Sequence, residues 1–291
     1  MKLTSLFAAG CLVAAHCVFT TSAKAVSYFE DFNTFSGPTT YTTGADVTAG
    51  WRHYPNVDAG LANTWTFPTL SVGNNGYKLT SNAGTSSTNP GRVGSWYNAA
   101  GFTAITDFVV AADLLDWTSS WGQYVGLTAR SALQSVNFPN AYGLVLRNDQ
   151  TGPGTSTALQ ITKLDAFGQT TLTGNQGFFN VSGSSAAPDP GGDYRLVFWG
   201  VGSSLYGQII DLSTGLPMLF NDGSGGLTDI VSATDSSYTS GRTGLLGFIR
   251  TSQGVDPTFD NFFVTSVVPA PTTAALAGLG IASLLVFRRR R

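Results

Sequence analysis

The chain has 291 residues, of which 17 are acidic, 15 are basic and 35 are glycine. Six of the basic residues lie in the first 25 or the last 25 positions, so residues 26–266 carry 17 acidic and nine basic residues, a net charge of −8. This acidic body argues against nucleic acid and anionic lipid as its partners, because those partners require a basic face.

The first 25 residues predict a secretory signal peptide. Lys2 precedes an apolar run at residues 6–19, and Ala23 and Ala25 are small residues at the two positions that a signal peptidase reads. Both cysteines, Cys11 and Cys17, lie inside this segment. We therefore expect a mature chain that begins near Val26 and contains neither a disulfide nor a cysteine metal site.

Residues 26–266 predict one all-β domain, large enough to bury a core without disulfides. Short runs rich in β-branched and aromatic residues are separated by Gly, Pro, Asn, Asp and Ser, and no helical periodicity interrupts them. The predicted strands are 102–107, 108–116, 124–130, 142–147, 158–164, 194–199, 205–212, 244–249 and 259–266. The region 36–101 yields no clear strand order.

Two pairs of runs predict antiparallel neighbours. Residues 194–211 form two apolar runs about a Gly-rich turn near Gly202, which is typical of a β-hairpin. Residues 141–147 and 158–164 are joined through a connection rich in Gly and Asp. We expect each pair to lie side by side in a sheet.

This order of motifs resembles the concanavalin A-like, or laminin-G-like, jelly-roll β-sandwich. The matching stretches are Tyr28-Phe-Glu-Asp-Phe-Asn33, the 142–147 and 159–163 strands, the 194–211 hairpin, residues 241–248 and Phe259-Asp-Asn-Phe-Phe-Val264. The resemblance implies that the first and last strands lie side by side. It covers most of residues 26–266.

The body lacks the residues of the common hydrolytic sites. Glycosidases need two carboxyl groups held at a fixed separation, but the body has a single glutamate, Glu30, and Asp113 and Asp116 would point to opposite faces of a strand. His53 is its one histidine, and no nucleophile elbow is present. The sequence predicts a protein without catalytic activity.

A calcium site is one binding feature that the sequence suggests. Glu30, Asp31 and Asn33 open the body and Asp260 closes it. If the first and last strands pair, these oxygens would converge, and calcium accepts such a mixed set. The resemblance agrees, because jelly-roll carbohydrate-binding modules often hold structural calcium near this seam. The alternative is that these acidic residues lie at strand ends and face water.

Aromatic residues in the irregular early region suggest a carbohydrate-binding platform. Trp51, Tyr54 and Trp65 are the principal candidates, since indole and phenol rings stack on the apolar faces of sugars. Further aromatic residues follow at Trp96, Tyr97, Trp117 and Trp121. The alternative is that these rings fill the core of the sandwich.

Residues 267–291 predict a C-terminal membrane segment. The uncharged stretch 272–287 is followed by Arg288, Arg289, Arg290 and Arg291. A span of about 20 apolar residues is reached if Val267 and Val268 are counted and the arginine side chains extend to the interface. Because arginine clusters stay on the cytoplasmic side, the body would lie outside the membrane.

The order of Pro269 and Pro271, an apolar helix and an arginine run resembles the PEP-CTERM sorting signal. The resemblance implies processing by the membrane protease exosortase and delivery to the cell surface. It covers residues 268–291, with Ala270 where the family usually has glutamate. The alternative is a plain anchor that is never cut.

Together these features predict an exported surface or matrix protein that associates with extracellular polysaccharide through a lectin-like sandwich. Two alternatives are a polysaccharide-active enzyme with dispersed aspartates and a purely structural surface protein. Retention on purified glycans without product release would separate binding from catalysis.

Overall fold

The protein is described by a computed structural model. The structure describes residues 26–35, 50–53, 63–81, 91–117, 122–132, 139–148, 157–165, 168–179, 181–249 and 254–266. Within these ranges all regular structure is β-strand. The predicted signal peptide, the predicted C-terminal helix and the sorting residues from Pro269 to Arg291 lie outside the described residues.

The strands follow one another closely along the chain. In chain order they are β1 (Ser27–Glu30), β2 (Trp51–His53), β3 (Asn63–Thr66), β4 (Thr69–Ser71), β5 (Asn74–Asn75), β6 (Tyr77–Ser81), β7 (Gly91–Tyr97), β8 (Phe108–Asp116), β9 (Gln123–Ser131), β10 (Ala141–Asn148), β11 (Ala158–Asp165), β12 (Gly168–Thr171), β13 (Tyr194–Val201), β14 (Ser204–Asp211), β15 (Leu216–Pro217), β16 (Phe220–Asn221), β17 (Leu227–Thr228), β18 (Val231–Thr234), β19 (Arg242–Ile249) and β20 (Thr258–Thr265).

Two large sheets form a β-sandwich. A nine-stranded sheet has the order β15-β14-β13-β8-β20-β6-β3, with β1 beside β20 and β18 beside β14. A seven-stranded sheet has the order β12-β11-β10-β9-β19-β7-β2. Two further pairs, β4 with β5 and β16 with β17, make small hairpins. The all-β prediction is confirmed.

The core lies between the two sheets. Apolar side chains alternate with outward-facing residues along each strand, as the pleat requires. Leu127 and Leu144 of the seven-stranded sheet belong to the same buried cluster as Leu196 and Phe198 of the nine-stranded sheet. A smaller buried cluster lies on the other side of the seven-stranded sheet. It includes Tyr124 and Phe248, whose rings stack with their centroids 4.2 Å apart.

The first and last strands are hydrogen-bonded neighbours, as predicted. In β1 and β20, Tyr28 pairs with Val264 and Glu30 with Phe262. The pairing extends beyond the strands, since Ser266 N donates to the carbonyl of Val26 at 3.0 Å. The two ends of the described sandwich therefore leave it side by side.

The predicted strand at residues 102–107 is wrong. These residues form an irregular segment with one isolated bridge, between Ile105 and Gly241. Phe102 and Ile105 are 8% and 4% exposed, so their apolar character reflects anchoring of a loop to the core.

Strands are also present in the region 36–101, for which the sequence predicts no strand order. There β2 to β7 are built largely from Asn, Thr, Ser and Gly with scattered aromatic residues.

Candidate functional site

The predicted platform at Trp51 and Trp65 is wrong, because both rings belong to the core. Trp51 is 2% exposed, and its ring contacts those of Phe32 and Phe262 at 5.6 and 4.8 Å. Trp65 is fully buried, stacks on His53 at 4.3 Å and donates from Nε1 to the carbonyl of Gly94 at 3.2 Å. Side chains buried in this way present no surface to a sugar. Tyr54 lies outside the described residues.

The later aromatic candidates are also buried where the structure describes them. Trp96 is 2% exposed, Trp117 is 3% exposed and Tyr97 is 6% exposed. Trp121 lies outside the described residues. Of the tryptophans in the described part of the chain, only Trp199 is partly exposed, and it was not among the sequence-based candidates.

Trp199 and Tyr206 form an aromatic pair on the outer face of the nine-stranded sheet. They are directly opposite in the β13–β14 register, and the neighbouring residues Phe198 and Leu205 point into the core. The two rings are 5.5 Å apart between centroids with an interplanar angle of 17°, and both are partly exposed. Rigid strands therefore hold two nearly parallel rings at the surface.

The pair is bordered by hydrogen-bonding groups. Ser232 of β18 is opposite Tyr206, and Gln208 follows Tyr206 on the same face of β14. Gln208 Nε2 donates to Asp229 Oδ2 at 2.9 Å. At the turn, Asp107 Oδ1 accepts from Gly202 N at 2.9 Å. The pair therefore combines apolar ring surface with neutral and acidic hydrogen-bonding groups at its border.

The sequence contained a signal for this pair. A two-residue turn at Gly202 and Ser203 places Val201 opposite Ser204, and counting back then places Trp199 opposite Tyr206. Leu196 and Phe198 mark the buried side, so alternation assigns Trp199 to the outside. The apolar composition of residues 194–199 alone predicts a strand and does not indicate that Trp199 is exposed; the register of the hairpin does.

A buried ion pair lies further along the same sheet. Arg195 donates from Nε to Asp113 Oδ1 at 2.6 Å and from a terminal nitrogen to Oδ2 at 2.9 Å. Asn261 Nδ2 donates to Oδ2 of Asp113 at 2.8 Å. Asn261 has a left-handed φ of 51° at an irregularity in β20 where the register to β8 shifts. This shift brings its amide to the carboxylate.

This arrangement is poorly suited to acid–base catalysis. Asp113 and Asp260 are opposite one another on β8 and β20, but they are only 3% and 2% exposed. Both oxygens of Asp113 are already engaged by Arg195 and Asn261. A general acid or base must instead reach the substrate within hydrogen-bond distance.

His53 belongs to a buried polar cluster. Its Nδ1 lies 2.9 Å from the hydroxyl of Tyr77 and 3.2 Å from that of Ser95, and Tyr77 donates to Ser95 at 2.8 Å. Burial lowers the pKa of His53 to about 3. His53 and Ser95 are 1% and 0% exposed, so the imidazole is a neutral core group in this structure.

The predicted calcium ligands do not converge as a set. Glu30 accepts from the Tyr28 hydroxyl and from Phe32 N, and Asp31 Oδ1 accepts from Asn33 N at 3.3 Å. Asn33 Oδ1 accepts from a backbone nitrogen of the β5 strand at 2.7 Å, and Asp260 is buried. In the described ranges no group of three or more His, Cys, Asp or Glu side chains is arranged to hold a metal ion. The four residues therefore do not fit the predicted site.

In the part of the chain that the structure describes, no helix is long and apolar enough to cross a bilayer. The predicted span at residues 272–287 is outside that part of the chain.

Comparison with known proteins gives structural similarity alone. No known protein family matches the chain, and no curated protein matches it. The carbohydrate-binding module CBM66 from Bacillus subtilis shares 13% identity and a TM-score of 0.42 over 70% of this chain and 93% of that one. The CBM2 module of the evolved Dit of Lactobacillus casei BL23 phage J-1 shares 17% identity and a TM-score of 0.43, covering 85% and 100%.

The lumenal domain of VIP36, in a form with bound calcium and Man3GlcNAc, shares 9% identity and a TM-score of 0.40, covering 72% of this chain and 85% of that one. At these TM-scores the similarity defines neither a family nor a binding site for this chain. What the fold itself defines is an all-β protein of two packed sheets.

Proposed function

We propose that this protein is a non-catalytic, lectin-like β-sandwich that associates with extracellular polysaccharide at the cell surface. The observation that carries the proposal is the partly exposed Trp199–Tyr206 pair on the outer face of the nine-stranded sheet. Aromatic rings held on strands lose little conformational freedom when they bind a ligand. Sugar rings offer apolar C–H faces that pack on such rings.

The polar border of the pair supports a carbohydrate over a purely apolar ligand. Ser204 and Ser232 are partly exposed, and their hydroxyls can exchange hydrogen bonds with the hydroxyl groups of a ligand. In small-molecule sites, a few precisely placed polar groups beside apolar surface fix the orientation of the ligand and provide specificity. Polysaccharide repeats the same apolar and hydroxyl pattern along its length.

The absence of catalysis in this proposal is supported by the state of the aspartates. Asp113 is neutralised by Arg195, and Asp260 is 2% exposed. No observation in the described part of the chain favours the alternative of a polysaccharide-active enzyme.

Export and anchoring belong to the proposal through the sequence. Residues 1–25 act as the signal peptide, and residues 267–291 act as the membrane segment and PEP-CTERM-like sorting signal read by an exosortase-like protease. The concanavalin A-like class is consistent with two packed sheets in which β1 pairs with β20. Structural calcium is not required by the proposal.

The proposal is tested by affinity electrophoresis of the full chain in mild detergent, through gels that contain hydroxyethylcellulose, xylan or mannan. We expect retardation by at least one neutral polymer, and about a tenfold loss of affinity, which is about 1.4 kcal/mol, in Trp199→Ala and in Tyr206→Ala. Leu216→Ala is the matched control, since this side chain is 62% exposed at an edge of the same sheet. Equal retardation of all four proteins would contradict the assignment of the site.

A further inference from the structure

The aromatic pair is one end of a longer apolar strip that crosses five adjacent strands. The register pairs Tyr206 with Trp199, Trp199 with Val109, Val197 with Ala111, Ala111 with Phe263, and Phe263 with Phe29. Directly paired residues share a face of the sheet, and so do residues two apart on one strand. We name the partly exposed members of this row the cross-strand strip: Tyr206, Trp199, Val197, Val109, Phe263 and Phe29.

The strip has the length of a chain of sugars. It runs from β14 through β13, β8 and β20 to β1, which is four strand spacings of about 4.8 Å, or about 19 Å. A single sugar ring covers only a small part of that length. A ligand that contacts the whole strip must be extended and must present an apolar face repeatedly.

The charges around the strip select against anionic polymers. The strip contains no charged side chain, and the guanidinium next to it on β13, Arg195, is neutralised by Asp113. Asp107 and Asp229 lie at its β13–β14 end through their contacts with Gly202 and Gln208. Residues 26–266 also carry a net charge of −8. Like charges disfavour a ligand of the same sign.

We infer that the cross-strand strip binds several consecutive residues of a neutral, extended polysaccharide laid perpendicular to the strands, rather than a monosaccharide or a chain end. This inference rests on the proposed function and specifies its ligand class. Trp199 and Tyr206 contact one part of the chain, and Phe263 and Phe29 contact a part several sugar residues away. The affinity must therefore grow with chain length.

The inference is tested by calorimetry on the full chain in mild detergent. The probes are the neutral polymer that retards the protein most, its disaccharide and hexasaccharide, and the carboxymethylated form of the same polymer. We expect the hexasaccharide to bind at least tenfold more tightly than the disaccharide, and the carboxymethylated polymer to bind at least tenfold more weakly than its parent.

Two variants separate the ends of the strip. Phe263→Ala should weaken the hexasaccharide and the polymer three- to tenfold while leaving the disaccharide unchanged, whereas Trp199→Ala should weaken all three. Val72→Ala, at a fully exposed position in the turn between β4 and β5, should change none of them. Circular dichroism and the melting temperature of each variant show whether it is folded. If Phe263→Ala does not fold, Phe263→Leu takes its place, because it removes ring stacking and keeps apolar volume.

The possible outcomes test the proposed function and the extended-chain inference separately. If the wild-type protein binds no polymer, the proposed function fails. If it binds but the disaccharide and hexasaccharide are equivalent, or both Phe263 variants bind like wild type, the extended-chain inference is overturned while the aromatic pair stands. If sedimentation shows a dimer that Trp199→Ala dissociates, the strip is an interface between two copies and the inference is also overturned.

Discussion

His53 shows how a single buried group can set the acid limit of the fold. The ring stacks on Trp65 and its Nδ1 faces the Tyr77 and Ser95 hydroxyls, so the sandwich holds the neutral imidazole. In the unfolded chain the imidazole titrates near 6.5, whereas burial lowers its pKa in the fold to about 3. The unfolded chain therefore binds a proton over a pH range in which the folded protein does not.

We predict that His53→Gln flattens the dependence of stability on pH. The contribution of a neutral His53 is fully present above pH 6.5 and is lost as the pH falls towards 3, at roughly 1.4 kcal/mol per pH unit. Urea unfolding of both proteins between pH 4.5 and 7 measures this slope, above the range in which most carboxylates titrate. The variant should be less stable at pH 7 and should lose less stability on acidification. If the free energy of unfolding depends on pH equally in the two proteins, His53 does not cause the loss of stability on acidification.

Trp199 shows, also at the scale of single residues, that the exposure of an aromatic side chain was not predicted correctly from the sequence. The sequence predicts exposure for the aromatic residues of the irregular early region, but in the structure Trp51 and Trp65 fill the core. Trp51 and Trp65 sit on strands β2 and β3 and point inward, whereas Trp199 sits on a strand that was identified and points outward. Loop-like sequence is a poor guide to exposure, and strand register is a better one.

At the scale of elements, β8, β13 and β20 are locked together by one carboxylate. Asp113 of β8 accepts from Arg195 of β13 and from Asn261 of β20, so three central strands of the nine-stranded sheet share a buried charge. A buried ion pair contributes little compared with apolar packing, but loss of one partner leaves an uncompensated charge.

We predict that Asp113→Ala costs about 3–5 kcal/mol of unfolding free energy, because Arg195 then stays buried without its counter-ion. The double variant Asp113→Leu with Arg195→Met should recover a large part of this loss, since both charges are removed and the volume is kept. Urea denaturation of the single and double variants gives both numbers. Equal destabilisation by the two would argue that packing, and not charge, is what Asp113 provides.

The long strands could be predicted because their alternation is strong. Residues 108–116 were identified with the observed bounds, and the 141–147 and 158–164 runs pair as expected. The strands between Trp51 and Tyr97 could not be predicted, because Asn, Thr, Ser and Gly there resemble loop residues. Strands β2, β6 and β7 gain their conformation from pairing partners far along the chain. Tertiary context overrides local preference in such segments.

At the scale of the whole molecule, the distribution of charge along the chain belongs to the same proposal as export to the cell surface. An acidic body of net charge −8 between two cationic ends suits a protein that crosses a membrane and then stays in solution or matrix on the far side. The sorting signal concerns the ends, and the cross-strand strip concerns the body.

We predict that the protein isolated from the surface of its native cells has the mass of a chain that starts near Val26 and stops near Pro269. Signal peptidase and an exosortase-like protease would remove the two ends. Intact-mass spectrometry measures this, and a variant with Pro269→Ala and Pro271→Ala is the control that should keep residues 272–291. A wild-type mass that still includes those residues would instead indicate a permanent anchor and would contradict processing of the tail.

The pairing of β1 with β20 has a consequence for how this protein folds. Val26 N donates to Ser266 Oγ at 3.1 Å across a sequence separation of 240 residues, and the strands beside them are joined throughout. Contacts of such high sequence separation are formed late and slowly, because the whole intervening loop must be closed first. During synthesis β1 therefore remains without its partner until the last strand has emerged, and the sandwich closes only when the body is nearly complete.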